Sequence, residues 1–196
     1  MFHEISQSMK TVMDRLEERD AQDRHDGTPH LQRLRQIPPE TGRFLAIMAS
    51  SAPAGAWIEV GTSAGYSAMW ISLACRVARK QLTTFEILPA KAALARANLA
   101  EAQVNDVVTS VEGDFLVAAF ELGPISFCFL DAEKDVYETC YEVIVPLLVP
   151  GGLLICDNAI SHQSDLQPLI DEAMADVRID AVLVPIGKGE LVCRKL

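Results

Sequence analysis

Three oxygen-bearing side chains follow two apolar segments in the second half of the chain. Asp131 comes directly after Ile125–Leu130, and Asp157-Asn158 come directly after Leu153–Cys156. If the two segments are neighbouring parallel strands, their carboxyl ends meet at one edge of a sheet and the three side chains converge. Oxygen donors without Cys or His suit Mg²⁺, Mn²⁺ or Ca²⁺ and do not suit zinc. A plain turn at Asp157-Asn158 is the alternative, but two adjacent carboxylates repel each other unless a cation lies between them.

A second candidate site lies in the segment Glu59–Ser67, which contains Gly61 and Gly65 after a short apolar strand. The glycines allow a tight turn and a close backbone approach to a ligand, although such glycines are also often purely structural. The G-x-G-x-x-G pattern of dinucleotide sites and the G-K-[ST] of P-loops are both absent. Glu59 ends a buried strand, where a carboxylate is costly unless it has a partner.

Acidic residues also follow the next two predicted strands. Glu86 lies about 25 residues after Gly61, where Rossmann-like folds place the acid that binds both ribose hydroxyls. Its alternative role is a solvated cap before Pro89. Asp114 is a good helix N-cap and is equally suited to accept a hydrogen bond from an adenine amino group. The two roles are compatible.

Strands and helices alternate from residue 56 onward, which predicts an α/β protein with a Rossmann-like, doubly wound, mostly parallel seven-stranded sheet. The turn 186–189 is too short to join parallel strands, so the sheet should end in an antiparallel C-terminal hairpin. The predicted strands are Trp57–Val60, Leu82–Ile87, Val107–Val111, Ile125–Leu130, Leu153–Cys156, Ile179–Pro185 and Glu190–Arg194. The predicted helices are residues 1–20, Thr41–Ser50, Tyr66–Ala78, Ala90–Ala102, Val136–Leu148 and Leu166–Ala175, with a loop over residues 20–30.

Composition narrows the class of protein further. The chain has 196 residues and a net charge of −10, which argues against a broad nucleic-acid interface. We expect one domain over residues 1–196, since this length can bury a sizeable core. No apolar stretch is long enough to span a membrane, and the first twenty residues are too charged for a signal peptide. Five scattered cysteines without a C-x-x-C pair indicate reduced, buried thiols and a cytoplasmic protein.

Taken together, these motifs resemble those of the cation-dependent O-methyltransferases, which include catechol and caffeoyl-CoA O-methyltransferases and their small bacterial relatives. The resemblance covers roughly residues 36–196. It implies a class I methyltransferase fold, a homodimer, and a helical N-terminal extension or lid over residues 1–50. The segments that carry it are Glu59–Ser67, Glu86, Asp131-Ala132-Glu133-Lys134 with Tyr137, Pro150-Gly151-Gly152, Asp157-Asn158 and the closing Pro185-Ile186-Gly187.

The resemblance also implies roles for individual residues. Asp131 and Lys134 would be catalytic, with Lys134 accepting a proton, unless Lys134 is an exposed lysine that pairs with Glu133 or Glu138. A divalent cation (Mg²⁺, or Mn²⁺ or Ca²⁺) would bind Asp131, Asp157 and Asn158. The residues implied to hold S-adenosylmethionine are Ile37, Glu59, Gly61, Thr62, Ser67, Glu86, Asp114, Phe115, Asp131 and Glu133.

The predicted reaction is methyl transfer from S-adenosylmethionine to a hydroxyl of a small, catechol-like aromatic molecule. His162 is either a substrate contact or an exposed loop residue. Two other functions remain open at this point: a tRNA hydroxyl methyltransferase of the same family, and a non-catalytic protein that binds S-adenosylmethionine. The absent G-x-G-x-x-G pattern weighs against a nicotinamide-dependent dehydrogenase.

Overall fold

A computed structural model describes the backbone of residues 1–196 and every side chain except that of Phe120. The described chain contains seven strands: β1 (Ala56–Val60), β2 (Leu82–Glu86), β3 (Val108–Glu112), β4 (Ile125–Leu130), β5 (Leu148–Cys156), β6 (Ile179–Val184) and β7 (Glu190–Lys195). They form one sheet in the spatial order β3-β2-β1-β4-β5-β7-β6. Strands β1 to β5 are mutually parallel, and β7 pairs antiparallel with both β5 and β6. The predicted fold class is therefore confirmed.

Helices connect the strands. They are α1 (Gln7–Asp23), α2 (Pro39–Ser50), α3 (Tyr66–Ala78), α4 (Pro89–Glu101), α5 (Phe115–Ala118), α6 (Tyr137–Leu147) and α7 (Gln163–Ala175). In the described chain, one short 3₁₀ turn precedes α1 and three more lie between the later elements. Among the described residues, no helix is long and apolar enough to cross a membrane.

The central strands are buried on both faces, because their side chains alternate between two separate hydrophobic clusters. In β4, Phe127 and Phe129 belong to the cluster that includes α1, α2 and α3. Cys128 and Leu130, which point the other way, belong to the cluster that includes α6 and α7. This double coverage explains why β4 is almost uniformly apolar in sequence.

Two sequence predictions about the elements were inaccurate, and one feature of the sheet was not predicted. Helix α1 continues to Asp23, so the predicted loop over residues 20–30 begins later. Strand β5 begins at Leu148 and includes Pro150-Gly151-Gly152, whereas the predicted strand begins only at Leu153. A register irregularity opposite Ile125 and Phe127 lets the strand continue through these residues. The insertion of β7 between β5 and β6 was not predicted, since a short hairpin turn does not reveal which of its strands joins the sheet.

Helices α1 and α2 pack against α3 and α4. Arg15 of α1 donates hydrogen bonds to Asn98 and Glu101 of α4. Gly42 of α2 lies so close to Trp70 of α3 that a Cβ at this position would be 2.2 Å from the indole Cδ1. The absent side chain thus sets the distance between these two helices.

We expect Gly42→Ala to destabilise the protein by about 1–3 kcal/mol, because overpacking outweighs the gain in helix propensity. Gly123→Ala is the matched control, since a Cβ there would meet no atom within 4 Å. Urea unfolding of both variants measures the difference. Equal stability of the two variants would contradict this account of the α2–α3 contact.

Candidate functional site

The candidate site lies at the carboxyl edge of the sheet, between the parallel neighbours β1 and β4. From β1 the next strands in sequence lie on one side, and from β4 they lie on the other. Two adjoining cavities of about 590 Å³ and about 290 Å³ open there. Ligands of doubly wound sheets bind at this switch point. The residues that line both cavities are Arg35, Ser63, Lys91, Asp131, Ala132 and Glu133.

The loop after β1 approaches the end of β4 through Gly61, which has φ of 105°. A Cβ on Gly61 would lie 2.1 Å from the carbonyl oxygen of Asp131, so only glycine fits. The N–H groups of Gly61 and Thr62 donate to the carbonyl oxygen of Phe85 at the end of β2. This turn therefore brings the ends of three strands together at the cavity wall.

Glu86 lines the smaller cavity and is 7% exposed. Its carboxylate accepts hydrogen bonds from the N–H of Ser63 at 2.8 Å and the N–H of Leu88 at 2.9 Å. The predicted cap before Pro89 thus exists, and the same carboxylate also faces the cavity. Since each oxygen has one bond from the protein, each retains capacity to accept a hydroxyl donor.

Asp114 and Phe115 form the far wall of the smaller cavity. Asp114 caps α5 by accepting a hydrogen bond from the N–H of Leu116 at 2.9 Å. Phe115 packs edge-on against Phe85, with ring centroids 5.7 Å apart. The cavity therefore combines an apolar wall with carboxylates at two strand ends, which suits a nucleoside.

Three predicted cofactor contacts lie below the loop and are not among the residues that line either cavity. Glu59 is fully buried and accepts a hydrogen bond from the Thr84 hydroxyl, while the Thr62 and Thr84 hydroxyls lie 2.6 Å apart. Burial raises the pKa of Glu59 to about 7, and hydrogen bonds from Ser67 and Thr84 oppose that rise. In this arrangement Glu59, Thr62 and Ser67 support the glycine loop from below.

Ile37 is also absent from both cavity linings. It is 4% exposed and belongs to the hydrophobic cluster around α1, α2 and α3. Leu34 and Arg35, which precede it, line the larger cavity. The N-terminal segment thus contributes to the cavity wall slightly earlier in the chain than predicted.

The predicted metal ligands come together at the ends of β4 and β5. Asp131 and Asn158 line the larger cavity. Asp157 is fully buried, and neither of its carboxylate oxygens has a hydrogen-bond partner. Burial, followed by the negative charge of Asp131, raises the pKa of Asp157 to about 6.

Glu190, at the start of β7, is a buried carboxyl next to Asp157 that the sequence analysis did not single out. Burial and the charge of Asp157 raise its pKa to about 10. Within the described part of the chain, no three His, Cys, Asp or Glu side chains are grouped so that they could hold a metal ion. A cation at this edge would therefore need the oxygen of Asn158 as a third protein ligand.

Lys134 points into the site. Its Nζ donates to the hydroxyl of Tyr137 at 2.6 Å and to the carbonyl oxygen of Ala132 at 3.0 Å, and it lies 3.4 Å from Asp131 Oδ1. The predicted alternative, an exposed lysine that pairs with Glu133 or Glu138, does not describe this environment. Lys134 instead contacts a candidate metal ligand.

Of the basic residues that the sequence analysis missed, Arg35 and Lys91 line both cavities. Arg35 forms an ion pair with Glu133 and so connects the N-terminal segment to the loop after β4. Lys91, in the first turn of α4, lines both cavities while only 8% exposed. Lysines on helices usually point into solvent, and the spacing of residues in the sequence does not show that Lys91 faces the cavities.

His162 is exposed and lines the larger cavity, which fits both of its predicted roles.

Comparison with known proteins adds independent information. A family model described as O-methyltransferase matches residues 3–196. The chain is 33% identical over 129 residues to the catechol O-methyltransferase of Niastella koreensis, a match covering 63% of this chain and 58% of that protein. It is 26% identical over 181 residues to caffeoyl-CoA O-methyltransferase 1 of Eucalyptus globulus, covering 80% of this chain and 73% of that protein.

A likeness to solved structures supports the fold. The crystal structure of the O-methyltransferase from Bacillus cereus in complex with SAH matches this chain with a TM-score of 0.78 at 21% identity. The match covers 95% of this chain and 91% of that one. The predicted class I methyltransferase fold is thereby confirmed.

The raised pKa of Glu59 predicts how stability depends on pH. Between the ordinary carboxyl pKa of 4.5 and about 7, the folded state keeps a proton that the unfolded chain releases, so stability falls as pH rises through this window. In Glu59→Gln, the fall in unfolding free energy between pH 5 and pH 8 should be smaller by about 2–3 kcal/mol. Denaturant unfolding at several pH values measures this.

Glu18→Gln, which alters an exposed carboxylate on α1, is the control and should retain the wild-type pH dependence. If Glu59→Gln retained it as well, Glu59 would have to be ionised at little cost in the folded protein.

Proposed function

We propose that this chain, which belongs to the O-methyltransferase family, transfers the methyl group of S-adenosylmethionine to a hydroxyl of a small catechol-like aromatic molecule with the help of a divalent cation. The observation that carries this proposal is the fully buried Asp157, whose carboxylate lies between the carboxyl groups of Asp131 and Glu190. Acidic groups crowded together in this way are costly in a folded protein unless they are protonated or something positive binds there.

The cofactor assignment follows from the smaller cavity. We assign the ribose hydroxyls to Glu86 and the adenine to the wall formed by Asp114 and Phe115. The methionyl part would then extend past Asp131 and Glu133 into the larger cavity, since those residues border both cavities. In this role Gly61 gives the cofactor close access to the backbone, and Glu59, Thr62 and Ser67 hold the loop in shape.

The donor set of Asp131, Asp157 and Asn158 fits a hard divalent cation such as Mg²⁺. When bound, the cation lowers the pKa of a coordinated hydroxyl, which matters because a free phenol with a pKa near 10 is scarcely ionised at neutral pH. Two carboxylates and one amide leave about three of the six positions of Mg²⁺ open. Two adjacent hydroxyls of one aromatic ring are suited to occupy two of them.

The chain's own groups complete the reaction. Lys134 is the side chain placed to accept the proton of the attacking hydroxyl, because its Nζ lies beside Asp131 at the carboxyl end of β4. The hydroxyl oxygen then forms a bond to the methyl carbon as the bond from that carbon to sulfur breaks, leaving S-adenosylhomocysteine. Holding donor and acceptor in line is worth on the order of 7–11 kcal/mol of the barrier.

Two further assignments come from the sequence: a homodimer from the family resemblance, and a cytoplasmic location from the scattered cysteines without a C-x-x-C pair. The acidic net charge of −10 favours a small molecule over tRNA as the methyl acceptor. Turnover of unmodified tRNA in place of a diol would reverse that choice.

The cofactor assignment predicts that Glu86→Ala weakens binding of S-adenosylhomocysteine by about 1.5–3 kcal/mol, the usual contribution of hydrogen bonds to a charged group. Titration calorimetry measures this. Glu112→Ala is the matched control. Glu112 lies opposite Glu86 on the neighbouring strand β3, but its carboxylate accepts a hydrogen bond from Arg96 at the surface. Tight binding of NAD, without heat from S-adenosylhomocysteine, would refute the assignment.

The metal assignment predicts that a catechol is methylated much faster than its single-hydroxyl analogue, and only when Mg²⁺ or Mn²⁺ is present. The reason is that an acceptor with a single hydroxyl cannot bind the cation through two oxygens at once. Initial rates with and without EDTA, with both acceptors, measure the effect. A rate that survives chelation, or equal rates for the two acceptors, would contradict it.

A further inference from the structure

The larger cavity is basic although the chain is acidic. The whole chain has 17 Lys and Arg against 27 Asp and Glu, yet among the residues lining this cavity the basic ones outnumber the acidic ones. The acidic ones are Asp20, Asp131, Glu133 and Asp165. The basic ones are Arg24, Arg33, Arg35, Lys91, Lys134 and Lys188, accompanied by His30 and His162.

Half of these cations have a carboxylate partner in the same lining. The ion pairs are Arg24 with Asp20, Arg35 with Glu133 and Lys134 with Asp131. In the described part of the chain, the remaining three, Arg33, Lys91 and Lys188, have no carboxylate within ion-pair distance. The cavity lining therefore contains three cations that have no ion-pair partner in the described part of the chain.

Lys91 is the most telling of the three. It is 8% exposed, lines the cavity, and its ammonium forms no hydrogen bond with any described residue. Burial, followed by the charge of Arg35, lowers the pKa of Lys91. An ammonium that reaches the cavity without a hydrogen-bond partner from the protein keeps its donors for an anion that enters the cavity.

Arg33 and Lys188 are held in place by backbone carbonyls. Arg33 Nε donates to Thr28 at 2.7 Å, and Lys188 Nζ donates to Gln36 at 3.1 Å. These bonds use part of the donor capacity of each side chain, so further N–H groups remain for a ligand. Two cations fixed in this way are preorganised to bind an anionic group.

We propose that the methyl acceptor carries an anionic oxygen group, a carboxylate or a phosphate, and that Arg33, Lys91 and Lys188 recognise it. This inference rests on the proposed function, in which Asp131, Asp157 and Asn158 fix the hydroxyl end of the acceptor. Charge-assisted hydrogen bonds are the strongest available for such recognition.

Three diols test the inference with S-adenosylmethionine and Mg²⁺: catechol, 3,4-dihydroxybenzoate and 3,4-dihydroxybenzyl phosphate. We expect kcat/KM for at least one anionic diol to exceed that for catechol by about tenfold or more. The preference should shrink as salt is added, because screening weakens charge attraction. The two anionic diols distinguish a carboxylate ligand from a phosphate ligand.

The ratio of kcat/KM between the preferred anionic diol and catechol is the readout for variants, since general damage to the enzyme cancels in it. Lys91→Met, and Arg33→Met combined with Lys188→Met, should each lower the ratio about tenfold. Lys10→Met, which removes an exposed cation on α1, should leave it unchanged. A wild-type ratio near one, or a ratio that survives all three substitutions, would overturn the inference. Loss of S-adenosylhomocysteine affinity in Lys91→Met, with the ratio intact, would overturn the assignment of Lys91.

Failure of the proposed function has a different signature, namely no methyl transfer to any diol. In that case calorimetry decides the inference without turnover. The protein, saturated with S-adenosylhomocysteine and Mg²⁺, should bind 3,4-dihydroxybenzoate or the phosphate more tightly than catechol. Equal affinities would overturn the inference there too.

Discussion

Crowding of buried carboxyl groups at the carboxyl edge of the sheet is the constraint on which the rest of this structure depends. Asp157 and Glu190 are fully buried side by side, and oxygens of both lack hydrogen-bond partners. Such groups destabilise a fold unless they are protonated or meet a cation. The raised pKa values of about 6 and about 10 express that cost. We interpret the cost as the consequence of keeping a binding site ready for a positive ion.

The rest of the fold supplies the stability that offsets the cost of these buried carboxyl groups. Strand β4 is buried along its whole length between two hydrophobic clusters. Gly61 allows the loop after β1 to contact the backbone of Asp131, and the Glu59 network fixes that loop from below. The stabilising contacts thus lie beneath the carboxyl edge of the sheet, and the destabilising carboxyl groups lie on it. Proteins commonly separate a stable scaffold from a functional site in this way.

Much of this arrangement was predictable from sequence, because parallel strands place their carboxyl ends together. The positions of Asp131, Asp157, Asn158 and Glu86 follow from counting apolar segments. What spacing does not give is the direction of a side chain at the edge. Glu59 and Ile37 turn into the protein interior, and Lys91 turns toward the cavities.

Long-range contacts were the other source of error. The ion pair between Arg35 and Glu133 joins residues 98 positions apart, and the approach of Glu190 to Asp157 depends on the insertion of β7 beside β5. Neither contact leaves a periodic signal in the sequence. Both depend on the order of strands in space, which local patterns do not specify.

The central claim is that the unpartnered carboxylate of Asp157 exists to bind a cation. Binding of Mn²⁺, measured by electron paramagnetic resonance together with thermal unfolding, tests it most directly. The account predicts that the wild-type protein binds one Mn²⁺ and is stabilised by it. It also predicts that Asp157→Asn loses this binding and is more stable than wild type without metal at pH 8, because a buried charge has been removed. Undiminished Mn²⁺ binding by Asp157→Asn, or no binding by the wild type in the presence of S-adenosylhomocysteine, would contradict the account.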